Sequence, residues 1–172
     1  MEKVAMAGKR ILIVEDENIT ALDIRQMVQQ FGYEPVGPVA CGKDAIKHAL
    51  TLHPDLILMD ILLKGPIDGI QAAAAIRSQY PCPVIYLTAH ADQSTIDRAK
   101  STEPAGYVLK PINDRELHAA IELALRRDTN GGTAERTQDM VRITRTSRRQ
   151  GLLRNGDAAS RPESGLWLTQ VA

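Results

Sequence analysis

The chain has 172 residues and a hydrophobic content of 44%, which fits one domain with a packed core and some surplus length. Its formal net charge of zero conceals an asymmetry, because residues 1–128 carry 14 Lys and Arg against 17 acids, whereas residues 129–172 carry seven Arg against four acids. No apolar run is long enough to cross a bilayer and MEKVAMAGKR lacks the features of a secretory signal, so we expect a cytoplasmic protein without membrane insertion.

The first half of the chain alternates short apolar runs with helical patterns. RILIVED is a β-branched run that ends in acids and predicts a first strand, and NITALDIRQMVQQFGY spaces its apolar residues as a helix that Gly32 ends. PVGPVA predicts a weaker second strand because it contains Pro38. GKDAIKHALTLH then predicts a helix that Pro54 closes.

The alternation continues as far as Asp128. DLILMD predicts a third strand, the loop ILLKGPID follows, and GIQAAAAIRSQY predicts an alanine-rich helix. PVIYLTA predicts a strand, DQSTIDRAKSTE a helix, GYVLK a fifth strand, and NDRELHAAIELALRR a final helix with Asn113 as its N-cap. Because the strands are continuous apolar runs, the five strand–helix pairs predict the α/β class with a doubly wound, five-stranded parallel sheet.

The pattern stops near Asp128, where the charge balance also changes. We therefore expect an N-terminal extension at residues 1–8, a folded domain at 9–128, and a linker with a basic tail at 129–172. TNGGT is typical of a linker, residues 134–151 have the composition of a basic helix, and the tail is too short for a winged-helix output domain. We favour a mostly irregular, solvated tail over one that contacts nucleic acid.

The cysteines and histidines show no metal-binding pattern. Cys41 and Cys82 lack the spacing of a metal site, and the four histidines form no cluster with ligand spacing. We therefore predict neither a transition-metal site nor a disulfide framework.

Charged and polar residues follow four of the five predicted strands. Glu15 and Asp16 follow the first strand, Asp60 ends the third, Thr88 ends the fourth and Lys110 ends the fifth. In doubly wound sheets the carboxyl ends of the strands form the ligand crevice, so these side chains are expected to converge.

The chemistry of this set favours phosphoryl transfer. Acids replace the glycine-rich turn after the first strand, which disfavours dinucleotide binding. Converging carboxylates suit Mg²⁺, and the metal together with Lys110 would keep Asp60 ionised and nucleophilic. Thr88 would offer a hydroxyl to a phosphoryl oxygen, and the metal and Lys110 would neutralise the transferred group.

In this order, the motifs ILIVEDE, PDLILMDI, DGIQAA, PVIYLTA and GYVLKPI resemble the receiver domain of two-component response regulators over about residues 9–127. The resemblance implies a (βα)₅ flavodoxin-like fold. It also implies that Asp60 is the phosphoacceptor and receives its phosphoryl group from a phosphohistidine of a sensor kinase. Asp16 and Asp60 would bind Mg²⁺ directly, Glu15 would help through water, and the backbone carbonyl of Leu62 would complete the set.

The resemblance further implies a switch. Lys110 would pair with the phosphoryl group, Thr88 would move to bond it, and Tyr107 would follow that movement as the switch aromatic. The Lys110–Pro111 bond is expected to be cis. The sequence departs from the family pattern in having Glu15-Asp16 where Asp-Asp is usual, and in a slightly longer loop after Asp60.

The leading hypothesis is a receiver that signals by protein–protein contact through its fourth and fifth helices and fifth strand. Its expected partners are a sensor histidine kinase or phosphotransfer protein and a downstream protein target, with a homodimer through the same face as a further expectation and nucleic acid disfavoured. One alternative is a transcriptional regulator with a shortened DNA-binding output region.

Two other classes are weighed against the receiver. A Mg²⁺-dependent phosphatase that forms an aspartyl-phosphate would want an acid where Leu62 stands, so the chain is not expected to be an enzyme beyond its own phosphoryl uptake and autodephosphorylation. An unphosphorylated scaffold is disfavoured because the full set of charges is present.

Overall fold

The computed structural model describes residues 8–89 and 92–130, with the side chains described as far as Arg127. Strands and helices alternate as the sequence predicts. The elements are β1 (Arg10–Val14), α1 (Asn18–Gln30), β2 (Glu34–Val39), α2 (Gly42–Leu52), β3 (Leu56–Asp60), α3 (Gly69–Arg77), β4 (Val84–Thr88), α4 (Gln93–Lys100), β5 (Gly106–Leu109) and α5 (Asp114–Asn130). The predicted N-terminal extension and basic tail lie outside the described residues, apart from Gly8 and the end of α5.

The strands form one parallel sheet in the order β2-β1-β3-β4-β5, which confirms the predicted doubly wound α/β fold. Val14 pairs with Met59 in the register of β1 and β3, and Asp60 pairs with Leu87 in that of β3 and β4. The carboxyl ends of β1, β3 and β4 therefore lie at the same edge of the sheet, where an open α/β sheet binds its ligands.

Both faces of the sheet are covered by helices. In β1, Leu12 and Val14 point into a core shared with α2 and α3, whereas Ile11 and Ile13 point into a second core shared with α1 and α5. Successive strand residues face opposite sides, so a strand that is buried on both sides reads as a continuous apolar run. This arrangement explains why the central strands show no polar alternation.

Two apolar residues of α1 do not belong to the core. Ile19 is 73% exposed and Leu22 is 61% exposed, although both fit the helical spacing of the sequence. The face of α1 that packs on the sheet is formed instead by Ala21, Ile24 and Val28. The spacing identified the helix correctly but did not identify the buried face.

The edge strand β2 is irregular, as its proline predicts. The Gly37–Pro38 peptide bond is cis, and Gly37 has a φ of +93°. A Cβ atom at position 37 would lie 2.9 Å from the carbonyl oxygen of Ile13, so the close approach of the two backbones requires glycine.

Within residues 8–89 and 92–130, none of the helices has the length and hydropathy that spanning a membrane requires.

Candidate functional site at the carboxyl edge of the sheet

Three carboxylates meet where the two central strands end. Glu15 and Asp16 come directly after β1, and Asp60 is the last residue of β3. One carboxylate oxygen from each of the three residues lies within 4.8 Å of the others. Glu15 and Asp60 are buried, so their charges repel each other in a poorly solvated place unless cations compensate them.

Lys110 brings one compensating charge from the end of β5. Its ammonium lies 2.8 Å from Asp60 Oδ2, to which it donates a hydrogen bond, and 2.6 Å from Glu15 Oε2. The contact with Glu15 is an ion pair rather than a well-aligned hydrogen bond, since no donor in the described part of the chain meets Oε2 at a suitable angle. Burial alone would lower the pKa of Lys110, but Asp60 and Glu15 outweigh burial and raise that pKa.

Glu15 is a destabilised carboxylate. Burial raises the pKa of Glu15, and the nearby charge of Asp60 raises it further, while Lys110 and the N–H group of Glu17 oppose the change. The Glu17 N–H donates to Glu15 Oε1 at 3.1 Å. An added cation at this cluster would therefore offset an unfavourable charge that Lys110 offsets only in part.

The backbone after Asp60 folds closely around its carboxylate. The Leu62 N–H donates to Asp60 Oδ1 at 3.0 Å, so each Asp60 oxygen has its own donor, Leu62 for Oδ1 and Lys110 for Oδ2. The Leu62 side chain itself is 64% exposed. That the Leu62 carbonyl serves as a metal ligand stays a prediction.

Lys64 lies over Asp16, and sequence reasoning did not select it. Its ammonium is 3.4 Å from Asp16 Oδ2, and its backbone N–H contacts the same oxygen at 3.3 Å. The Asp16 side chain is 11% exposed, and the Lys64 side chain 86% exposed. The available signal was the slightly longer loop after Asp60, in which Lys64 is the only cationic residue.

Thr88 and the Lys110–Pro111 bond lie at the same edge. Thr88 is buried at the end of β4, and its carbonyl accepts a hydrogen bond from the Lys110 N–H at 2.9 Å. The Lys110–Pro111 peptide bond is cis. Thr88 and Lys110 are thus joined through the backbone, which holds the ends of β4 and β5 together beside the acids.

Tyr107 lies within β5, and its half-buried side chain packs against the core that includes residues of α3 and α4. Its ring centroid is 5.8 Å from that of Tyr86. Its hydroxyl is buried and has no hydrogen-bond partner within the described ranges. Burial, and then the charge of Asp97, raise the pKa of Tyr107 to about 12.

Comparison with known protein families gives a match over most of the folded part. The model of the response regulator receiver domain matches residues 11–122. The transcriptional regulatory protein PdtaR of Mycobacterium tuberculosis is 31% identical over an alignment of 173 positions. The alignment covers 98% of this chain and 84% of the relative. The transcriptional regulatory protein AfsQ1 of Streptomyces coelicolor is 32% identical over 123 residues, which cover 72% of this chain and 54% of that protein.

Solved structures agree with the family match. The receiver domain of a modulated diguanylate cyclase from Desulfovibrio desulfuricans superposes with a TM-score of 0.68 at 35% identity, covering 72% of this chain and 98% of that one. The receiver domain of a sensor histidine kinase from Pseudomonas aeruginosa was solved with a magnesium ion coordinated in its active-site cleft. It superposes with a TM-score of 0.64 at 32% identity, covering 70% of this chain and 99% of that one. The chain therefore belongs to the response regulator receiver domain family.

Proposed function

We propose that Asp60 is the phosphoacceptor of this response regulator. The observation that carries the proposal is the placement of its carboxylate, which is buried, held by Lys110 at 2.8 Å and clustered with Glu15 and Asp16. Such a carboxylate is held in a fixed position beside a cation, as a nucleophile for phosphoryl transfer must be.

The acid cluster fits a magnesium site. Three carboxylate oxygens within 4.8 Å of one another form the oxygen-rich, negatively charged site that Mg²⁺ prefers. Asp16 and Asp60 would hold the ion directly, with Glu15 acting through water and the Leu62 carbonyl as a further ligand. The ion supplies positive charge that neutralises the oxygens of the transferred group. The Pseudomonas aeruginosa relative, which holds magnesium in its cleft, supports this assignment.

The residues of the chain then have distinct tasks in the transfer. A carboxylate oxygen of Asp60 attacks the phosphorus atom of a phosphohistidine, the oxygen–phosphorus bond forms, and the phosphorus–nitrogen bond breaks as the imidazole leaves. The Lys110 ammonium, already 2.8 Å from Asp60 Oδ2, stabilises the negative charge of the transferred group. The donor would be a sensor histidine kinase or a phosphotransfer protein.

The output is proposed to be a shift between two conformations of the face formed by α4, β5 and α5. Thr88 would bond the phosphoryl group, and Tyr107, whose hydroxyl lacks a partner in the described part of the chain, would respond to its movement. This face would contact a downstream protein or a second copy of the chain. Beyond its own phosphoryl uptake and hydrolysis, the chain is proposed to have no enzymatic activity.

The phosphoacceptor assignment is tested by incubation with acetyl phosphate and Mg²⁺, followed by intact mass measurement. We expect the wild type to gain the mass of a single phosphoryl group and the Asp60→Asn variant to gain none. Asp23→Asn, on the surface of α1, serves as a matched control and should be labelled like the wild type. Absence of added mass on the wild type, or equal labelling of Asp60→Asn, would contradict the assignment.

A transcriptional role is a second candidate. The match to PdtaR covers 98% of this chain, including the basic region that the structure does not describe, and that relative carries the name of a transcriptional regulatory protein. A salt-dependent gel shift of DNA that requires residues 134–154 would distinguish this role from signalling by protein contact alone.

A further inference from the structure

The loop between β3 and α3 places the ammonium of Lys64 beside Asp16, the one acid of the cluster that Lys110 does not contact in the described part of the chain. Lys110 is shared by Glu15 and Asp60, and the ion pair given by the described residues for Asp16 is with Lys64. Lys64 approaches Asp16 Oδ2 twice, with its ammonium at 3.4 Å and with its backbone N–H at 3.3 Å. The contact therefore depends on the path of the loop as well as on the long side chain.

The charges of the site decide what this contact does. Three carboxylates and two ammonium groups leave one formal negative charge at the cluster. A divalent cation bound to Asp16 would stand close to the Lys64 ammonium and repel it, and both would compete for the same carboxylate. The Lys64 ammonium therefore opposes the binding of a divalent cation at Asp16.

We propose that Lys64 is a built-in counter-ion of Asp16 that competes with Mg²⁺ for this carboxylate, and that it thereby lowers the magnesium affinity of the site. This inference rests on the proposed magnesium site and adds to it a residue that tunes occupancy. Lys64 is a positioning residue in this role, since it acts on the metal ligand Asp16 and not on the phosphoryl group.

The size of the effect follows from the exposure of the lysine. The Lys64 side chain is 86% exposed, so water and salt screen its charge and the ion pair is weak. Removal of the ammonium should therefore tighten Mg²⁺ binding by about two- to fivefold at low ionic strength. The backbone N–H contact stays in place when the side chain is changed, so the substitution isolates the charge.

The test is a calorimetric titration of the full chain with Mg²⁺ alone. It is carried out at low salt and again at about 0.5 M salt, where charges are strongly screened. Lys64→Gln is expected to bind Mg²⁺ more tightly than the wild type at low salt, and the difference should shrink at high salt. Lys64→Arg keeps the positive charge and should resemble the wild type. Lys47→Gln removes the same charge from the exposed surface of α2 and should also resemble the wild type.

The outcomes separate the two proposals. Equal or weaker Mg²⁺ binding by Lys64→Gln, with normal binding by the wild type, would overturn the role of Lys64 and leave the magnesium site intact. Tighter binding by Lys47→Gln to the same degree would also overturn it, because the effect would then come from net charge alone. If the wild type bound no Mg²⁺, the magnesium site itself would be refuted together with this role.

Discussion

Tyr86 and Tyr107 are neighbours on adjacent strands, yet their hydroxyl groups differ. The Tyr86 hydroxyl is hydrogen-bonded to Thr102 Oγ1 at 2.7 Å, and Thr102 in turn donates to the carbonyl of Ala99 at the end of α4. Burial raises the pKa of Tyr86 to about 12. The Tyr107 hydroxyl is also buried but has no partner in the described part of the chain, which is an unfavourable state for a polar group.

We expect Tyr86→Phe to lower the free energy of unfolding by about 1–1.5 kcal/mol, because the buried hydrogen bond between the Tyr86 hydroxyl and the Thr102 hydroxyl is lost. Tyr107→Phe should change this free energy by less than about 0.5 kcal/mol, because the Tyr107 hydroxyl has no hydrogen-bond partner among the described residues. Urea unfolding of both variants measures the difference. An equal loss in both would show that the Tyr107 hydroxyl has a partner in solution.

At the level of single residues, the sequence was sufficient to predict that the charged side chains at the carboxyl ends of the strands lie close together. Glu15, Asp16, Asp60 and Lys110 could be placed together because parallel strands end at one edge, and the structure brings these four side chains together. Lys64 could not be placed, because a residue in the middle of a loop has a position that depends on the path of that loop.

The start of α3 is packed directly against the backbone of Asp60. The Gly69 N–H donates to the carbonyl of Ile61 at 2.9 Å, and a Cβ atom at position 69 would lie 1.9 Å from the carbonyl oxygen of Asp60. Asp68 caps the helix by accepting from the Gln71 N–H at 2.8 Å. The site and the first turn of α3 therefore form one closely fitted unit.

Gly69→Ala is expected to destabilise the fold by about 2 kcal/mol or more, because backbone atoms of Asp60 must move to admit the methyl group. Gly106→Ala is the matched control, since among the described residues a Cβ atom there meets the Ile85 side chain alone, at an ordinary 3.9 Å. Thermal unfolding of the two variants gives the comparison. A Gly69→Ala variant as stable as Gly106→Ala would refute the close fit.

The boundaries of the elements were less predictable than their order. GIQAAAAIRSQY predicts a helix to Tyr80, but α3 ends at Arg77. The Tyr80 hydroxyl donates to the carbonyl of Pro54 at 2.9 Å, a contact from a distant loop that a local pattern cannot show. The N-cap of α5 was confirmed, because Asn113 Oδ1 accepts hydrogen bonds from the backbone N–H groups of Arg115 and Glu116.

In the whole molecule, a second, half-buried arrangement of charges lies at the opposite edge of the sheet. Asp55, just before β3, accepts hydrogen bonds from the Lys9 ammonium and the Arg10 N–H, both at 2.8 Å. Burial alone would raise the pKa of Asp55, but these two donors outweigh burial and lower that pKa. The carboxylate thereby ties the start of β1 to the start of β3.

The lowered pKa of Asp55 makes its contribution to stability dependent on pH. The contribution is fully present above the usual pKa of an aspartate, near 3.8, and is lost as the pH falls through the lower pKa of the folded protein. Asp55→Asn should therefore lower the free energy of unfolding by about 1–2 kcal/mol at neutral pH, and the difference should shrink as the pH falls below the usual pKa of an aspartate, near 3.8.

Urea unfolding across this pH range measures the effect, with Asp23→Asn on α1 as the control that keeps the Asp55 contacts. A difference between Asp55→Asn and the wild type that persisted unchanged to the lowest pH would show that the loss does not come from the charge.

The connection between Lys110 and Asp60 has a consequence for the synthesis of the chain. The two residues are 50 positions apart, and β4 lies between their strands in the sheet. A nascent or truncated chain that ends before β5 therefore carries the acids without the lysine that stabilises them. Only a chain that is complete through β5 can therefore bring Lys110 to the acids.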